Sequence, residues 1–258
     1  MTDLPTGELE ALRLENAALK LQLTATQAEL ESFTYTVSHD LRAALRHISA
    51  FTQILKEDWA DGVSSGQPPD LTRPIATIST AARQMSLMID GLMELSRLGR
   101  VELKPTPLDL AALIDEVRDS LTAELGGRAI QWQIAMDATP ELPRRVGDTT
   151  LVRQVLRQVL SNAIKFTRQV PLAHIEIGWR LASDGQFEVC IKDNGVGFNP
   201  QFQGKLFGVF QRLHSASQFE GIGMGLALSR RIMARHGGRI EATAQPGEGC
   251  EVRLIWPA

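Results

Sequence analysis

The chain has 258 residues, enough for a sizeable core and more than one domain. Its 27 Lys and Arg against 30 Asp and Glu give a net charge of −3, with no basic stripe interleaved with aromatics, which argues against nucleic-acid binding. No apolar run approaches the roughly 18 residues of a membrane span and the N-terminus lacks a signal-peptide core, so a cytoplasmic chain is expected.

From Leu9 the positions Leu12, Asn16, Leu19, Leu23, Thr26, Leu30, Phe33 and Val37 follow alternating steps of three and four, the seam of a coiled coil. Asn16 at a core position is costly unless it pairs with its own copy across a parallel two-stranded coil. A parallel homodimer is therefore expected, with residues 1–32 as its stalk. After Phe33 the spacing becomes four, through Val37, Leu41 and Leu45, before a three-step resumes at Ile48. Such an insertion shifts the seam and locally changes the supercoil.

His39 lies on this helix roughly 200° from both Val37 and Leu41, so its imidazole is expected to face solvent. Asp40 beside it can hydrogen-bond one ring nitrogen and leave the other free to attack. A lone exposed histidine is usually no more than an ordinary solvated side chain. The helix is expected to end near Trp59, before the turn formers of Asp61 to Asp70. A second helix follows from Leu71 to Leu98, with the stripe Leu71, Ile75, Ile78, Ala82, Met85, Ile89, Leu92 and Leu95; Met85, Met88 and Met93 read as core filler. One such helical pair buries its stripe poorly, whereas two chains make a four-helix bundle, assigned to residues 33–99.

Residues 100–107, with two prolines, read as a linker. A helix is expected at Leu108 to Leu125, strands at Ala129 to Met136, His174 to Ala182, Phe187 to Lys192, Arg239 to Gln245 and Cys250 to Trp256, and helices at Thr149 to Thr167 and Met224 to His236. Strands and helices without regular alternation indicate an α+β two-layer sandwich over residues 108–258. Cys190 and Cys250 match no metal spacing and read as buried free thiols.

Three features of this second region stand together. Asp193 closes a strand before Asn194, Gly195, Val196 and Gly197; its carboxylate can accept the exocyclic amine of adenine, although Asp-Asn-Gly after a strand is also a plain turn. Gly221, Gly223 and Gly225 open a helix whose free N–H groups can hold phosphate, and since no strand directly precedes them a dinucleotide fold is disfavoured. Gln158, Asn162 and Lys165, at steps of four and three, put two amides and an ammonium on one helix face. An amide oxygen can bind Mg²⁺ and an ammonium can neutralise phosphate, the inventory for a triphosphate; a solvated helix face is the plainer alternative.

The run of motifs resembles the transmitter region of two-component sensor histidine kinases over Phe33 to Trp256. Ser38 to Arg42 resembles the phosphoacceptor H box and Asn162 to Thr167 the N box. Asp193 to Gly197 resembles the first glycine box, Leu206 to Phe210 the F box and Gly221 to Gly225 the second glycine box. Phe210-Gln211-Arg212-Leu213-His214 is similar to kinases linked to phytochromes. The resemblance implies a coiled coil and dimeric four-helix bundle followed by an ATP-binding sandwich of the Bergerat type. It also implies a kinase that phosphorylates His39 with ATP and Mg²⁺ and passes the phosphoryl group to an aspartate of a response regulator, under an upstream sensor.

Asp40 is then the base, Asn162 the Mg²⁺ ligand, Lys165 a phosphate contact, Asp193 the adenine reader and Arg212 a stabiliser of transferring charge. Phe166, Gly195, Gly197, Phe207, Phe210, Gly221, Gly223, Gly225 and Leu226 complete the ATP site, and residues 214–220 form a mobile lid. Three positions depart from the family. Gln158 replaces the first N-box asparagine, keeping an amide but adding a methylene, which weakens its claim as a second metal ligand. Ala44 replaces a proline, leaving the helical ladder uninterrupted. Ala43 replaces a small polar residue associated with dephosphorylating the partner, so weak phosphatase activity is expected. His47 is the rival acceptor. Two other readings compete: a degenerate scaffold that binds ATP without transfer, and an ATPase of the gyrase and chaperone type, disfavoured because Gln158 stands where those enzymes carry a glutamate base.

Overall fold

The switch from a 3.6-residue to a two-residue apolar period beyond residue 100 produces a mixed sheet covered on one face by helices. The structure, a computed structural model, describes residues 16, 20, 37, 40–59, 71–136, 145–182, 185–215 and 217–257. Most of the coiled-coil seam, the turn at 60–70, and Ser38 and His39 lie outside the described residues. The chain divides into two compact units, Met1–Met85 and Ser86–Ala258.

In the first unit, residues 40–59 form helix α1, and α2 (Thr72–Leu98) begins there and continues into the second. Along α2 the buried positions Pro74, Ala81 and Met88 recur every seven residues. This line departs from the expected stripe: Ile75 is 50% and Ile89 45% exposed, and Met93, expected as core filler, is 67% exposed. A single chain gives these helices only a narrow line of burial. Leu45, Ile54 and Trp59 on α1 are exposed as well.

The second unit holds β1 (Thr106–Leu108), α3 (Leu110–Ala123), β2 (Ile130–Met136), β3 (Arg145–Gly147) and α4 (Thr149–Phe166). These are followed by β4 (Ala173–Leu181), β5 (Phe187–Asp193), a 3-10 helix (Pro200–Lys205), α5 (Gly225–Arg235), β6 (Arg239–Gln245) and β7 (Gly249–Trp256). The five-stranded sheet runs β2-β4-β5-β7-β6, with β2 parallel to β4 and the other pairs antiparallel. Register brings Ile177, Ile191, Val252 and Ala242 side by side, all buried. On strand β4 the alternate residues Ala173, Ile175, Ile177 and Trp179 are buried, the period-two signature of a sheet with one core face. The other face carries ion pairs, Arg180 to Glu188 and Arg253 to Glu241, each at 2.7 Å. Val155, Leu156, Val159 and Leu160 of α4 and Ile232 and Met233 of α5 complete the core.

Helix starts are fixed by aspartates. Asp148 accepts the N–H groups of Thr150 (3.0 Å) and Leu151 (3.2 Å) at the head of α4, and that of Lys104 at 3.1 Å. Burial pushes its carboxyl upward, but these backbone donors outweigh burial and hold it below the usual carboxylate range. Asp109 caps α3 through Ala112 N–H at 2.9 Å, so that helix begins at Leu110 rather than at Leu108. Leu108 instead closes β1, which pairs with β3; neither of these three-residue strands was expected, being too short to show a period. The 3-10 helix was also missed. Cys190 and Cys250 are free but half-buried rather than buried: Cys190 faces away from the central core row, beside Gly178 and Arg253, whereas Cys250 stands on the core face at the end of β7.

Candidate functional site

A cavity of about 440 Å³ opens in the second unit between α4, the facing ends of β5 and β7, the segment 211–226 and the last turns of α2. Helical spacing places Gln158, Asn162, Lys165 and Phe166 of α4 along one wall. Gln158 donates through Nε2 to Asn162 Oδ1 at 3.3 Å. Lys165 Nζ lies 4.4 Å from the centroid of the Phe166 ring, and its desolvation lowers the ammonium pKa. Glu220 opposes that shift, and Glu220 is itself ion-paired to Arg168 at 2.6 Å.

Asp193 forms the floor, buried at the end of β5. Desolvation raises its carboxyl to about 6, against the N–H groups of Gly195 (2.8 Å to Oδ1) and Cys250. Cys250 pairs with Asp193 across the strands and lines the same cavity; burial first, then the neighbouring acids, push its thiol up to about 12. It stays a neutral thiol.

Backbone crowding explains the glycines. At Gly195 a Cβ would stand 2.5 Å from the Phe166 carbonyl oxygen, which accepts the N–H of Val196 at 3.2 Å and joins the β5 end to the last turn of α4. At Gly225 a Cβ would meet Gln158 Cδ at 2.0 Å, so the start of α5 can rest on the amide wall only without a side chain. The N-cap of α5 is Met224, with no side-chain cap bond, leaving the first N–H groups of an 11-residue helix open to an anion.

Two rings of the segment expected as a mobile lid pack with Phe166 of α4: Phe166 to His214 at 5.4 Å, Phe166 to Phe219 at 5.0 Å and His214 to Phe219 at 5.4 Å between centroids. His214 Nε2 lies 2.9 Å from Gly197 O, and Arg212 donates to Phe219 O at 2.5 Å.

Of the expected site residues, Gln158, Asn162, Lys165, Phe166, Asp193, Gly197, Arg212, Gly221, Gly223, Gly225 and Leu226 line this cavity together. Gly195, Phe207 and Phe210 do not; Phe210 is buried, with φ 59°, and from this segment Leu206 lines the cavity instead. Asp40 begins the described run of α1 and is half-buried, while its neighbour His39 lies outside the described residues. Sequence reasoning missed Leu87, Asp90, Gly91 and Glu94 of α2, which also line the cavity, because nothing in a helical stripe announces a distant partner. Among the described residues no group of three or more His, Cys, Asp or Glu could hold a metal ion. A Mg²⁺ ion that keeps most of its waters and phosphate ligands needs only one amide oxygen, and Asn162 offers it once Gln158 yields the hydrogen bond.

A two-layer sandwich with an acidic floor, an amide and ammonium wall and an uncapped helix start defines an ATP-binding domain. The match to known families agrees: residues 147–258 match the histidine kinase-, DNA gyrase B- and HSP90-like ATPases, and residues 29–100 match the His Kinase A phospho-acceptor domain. The chain belongs to the sensor histidine kinases, as their transmitter region. It is 35% identical over 237 residues to the methanogenesis regulatory histidine kinase FilI of Methanothrix harundinacea, covering 92% of this chain and 25% of that protein. It is 30% identical over 236 residues to cyanobacterial phytochrome B of Nostoc, covering 91% and 30%. The chain thus spans a quarter to a third of the length of these relatives. The solved histidine kinase ThkA, in complex with response regulator protein TrrA, shares the fold with a TM-score of 0.59 at 22% identity, covering 100% of this chain and 67% of that one. No helix among the described residues is long and apolar enough to cross a membrane.

Proposed function

We propose that the chain is a cytoplasmic ATP-dependent protein-histidine kinase that phosphorylates His39 and passes the phosphoryl group to an aspartate on the receiver domain of a response regulator. The observation that carries the reading is the convergence of Asp193, Asn162, Lys165 and the open start of α5 on one cavity. In this reading Asp193, ionised, accepts the exocyclic amine of adenine, Gly197 lies on the cavity lining, and Gly195 lets the end of β5 close onto the last turn of α4 so that the carboxylate is held in place. Lys165 neutralises phosphate charge, and the first N–H groups of α5 receive the phosphates. Asn162 would hold Mg²⁺, with Gln158 as its neighbour, and the bound ion would supply screening of the triphosphate charge. Asp40 takes the proton from one imidazole nitrogen of His39 while the other attacks the γ-phosphorus, and ADP leaves with the bridging oxygen. Arg212 faces the transferring group. Positioning and charge neutralisation carry most phosphoryl-transfer catalysis, so these groups suffice chemically.

The domain assignment proposed is a coiled coil over 1–32, a dimerising phosphoacceptor hairpin over 33–99, a linker over 100–107 and the catalytic domain over 108–258. Exposed Leu45, Ile54, Trp59 and Ile75 fit burial against a second copy, and the stalk would receive its signal from an upstream sensor. Ala43 offers no hydroxyl or amide, so phosphatase activity toward the receiver is expected to be weak.

Incubation with ATP labelled at the γ-phosphate is expected to label the wild-type chain and leave Asp193→Asn and His39→Ala unlabelled, while His47→Ala stays labelled. A wild-type chain that binds ATP and takes no label would instead establish the scaffold reading, which the Gln158 to Asn162 hydrogen bond favours.

A further inference from the structure

The last turns of α2 are built into the wall of the nucleotide cavity, a placement that the roles above do not use. Leu87, Asp90, Gly91 and Glu94 fall on one helical face and line the cavity. Three contacts hold that face in place. At Gly91 a Cβ would stand 2.9 Å from Met224 Cγ and 3.5 Å from Ile222 Cδ1, so the glycine forms a notch for the loop that opens α5. Glu94 Oε1 accepts from Gln154 Nε2 at 2.5 Å, one turn before Gln158 on α4. Arg235 of α5 donates to Leu98 O at 2.7 Å and also to Val101 O.

The notch at Met224 and Ile222 puts this face at the end of the cavity formed by the glycine loop and the start of α5, which is where the phosphates would lie. Six charged side chains line the cavity: Asp90, Glu94, Asp193 and Glu220 against Lys165 and Arg212. Glu220 is neutralised by Arg168, and Asp193 stands at the base end. Asp90 and Glu94 form no ion pair among the described residues. Both are exposed, so they place two negative charges at the rim of the cavity beside the phosphate end, and repulsion of a polyanion there grows with phosphate number.

Resting on the proposed ATP site, we propose that Asp90 and Glu94 set the selectivity of the cavity against phosphate charge, so that seating of α2 and filling by metal-free triphosphate oppose each other. A neutral nucleoside is indifferent to the pair, a diphosphate is penalised and a triphosphate is penalised most. Because binding linkage is reciprocal, the triphosphate loosens the α2 face that repels it.

The test is calorimetric titration of the full chain with adenosine, ADP and ATP in the presence of chelator, at low and at high ionic strength. The Asp90→Asn/Glu94→Gln double variant is expected to bind ATP about tenfold more tightly than wild type at low salt, ADP by less, and adenosine unchanged. At high salt the ATP gap should shrink. The Asp90→Lys/Glu94→Lys variant should extend the same order, and Gln154→Ala, which removes the Glu94 hydrogen bond without altering charge, should leave the ATP affinity of wild type. Equal or weaker ATP binding by the double variants, or a change in adenosine affinity as large as that for ATP, would overturn the proposal. Failure of wild type to bind adenosine or ATP at all would instead refute the nucleotide reading on which it rests.

Discussion

The sandwich and the helical pair treat their apolar residues in opposite ways. In the sandwich the inward positions of β4, β5 and β7 are nearly all buried within one chain, whereas Leu45, Trp59 and Ile75 of the helices stay about half exposed. The sheet face finds its cover in α4 and α5 of the same chain; the helical stripe does not find an equal cover. The nucleotide cavity is thus carried by a region complete in itself, and the proposed acceptor His39 belongs in sequence to the helical region, whose burial a second chain would finish.

The largest break in this contrast is expected from a core truncation. Ile191→Ala, fully buried in the central row, should destabilise the sandwich by about 2–5 kcal/mol in thermal or urea melting. Ile75→Ser should leave that transition in place and instead weaken the dimer in sedimentation. Next in size, Asp193→Asn swaps an acceptor for a donor against adenine and should cost about 1.5–3 kcal/mol of ATP affinity, read by calorimetry.

The same residue gives a pH dependence with a definite sign. Burial raises its carboxyl to about 6, and the ionised form is the one that accepts from adenine, so ATP affinity should fall as pH drops through about 6. Asp193→Asn should flatten that slope; an unchanged profile would remove Asp193 from the base site. Asp148→Ala should cost about 1 kcal/mol as a lost cap. Its carboxyl is held low in the fold, so its contribution is present above the ordinary carboxylate range and lost as pH falls through the folded value. Smallest of all, the exposed pair Arg153 to Glu116 should be worth less than about 1 kcal/mol in a double-mutant cycle.

The long elements were legible because their periods are long enough to read: α4 and β6 begin where patterning puts them, and the switch to period two marks the sheet. Three-residue strands such as β1 and β3 carry no period, and their pairing depends on register 40 residues away in the chain. For the site, Gln158, Asn162 and Lys165 were readable because one helix spaces them locally, and Asp193 because a strand end and a glycine turn flank it. Phe207 and Phe210 do not line the cavity, because a motif gives residue order and not which ring faces inward. The place of Asp90 and Glu94 on the cavity lining was invisible because it depends on packing between segments far apart in the chain.

Phosphopeptide mapping at neutral to alkaline pH, after incubation of the full chain with ATP and Mg²⁺, addresses the proposed chemistry most directly. The account predicts one acid-labile phosphate on an imidazole nitrogen of His39. Phosphate at His47, at a serine or threonine, or nowhere in a chain that holds ATP, would contradict it.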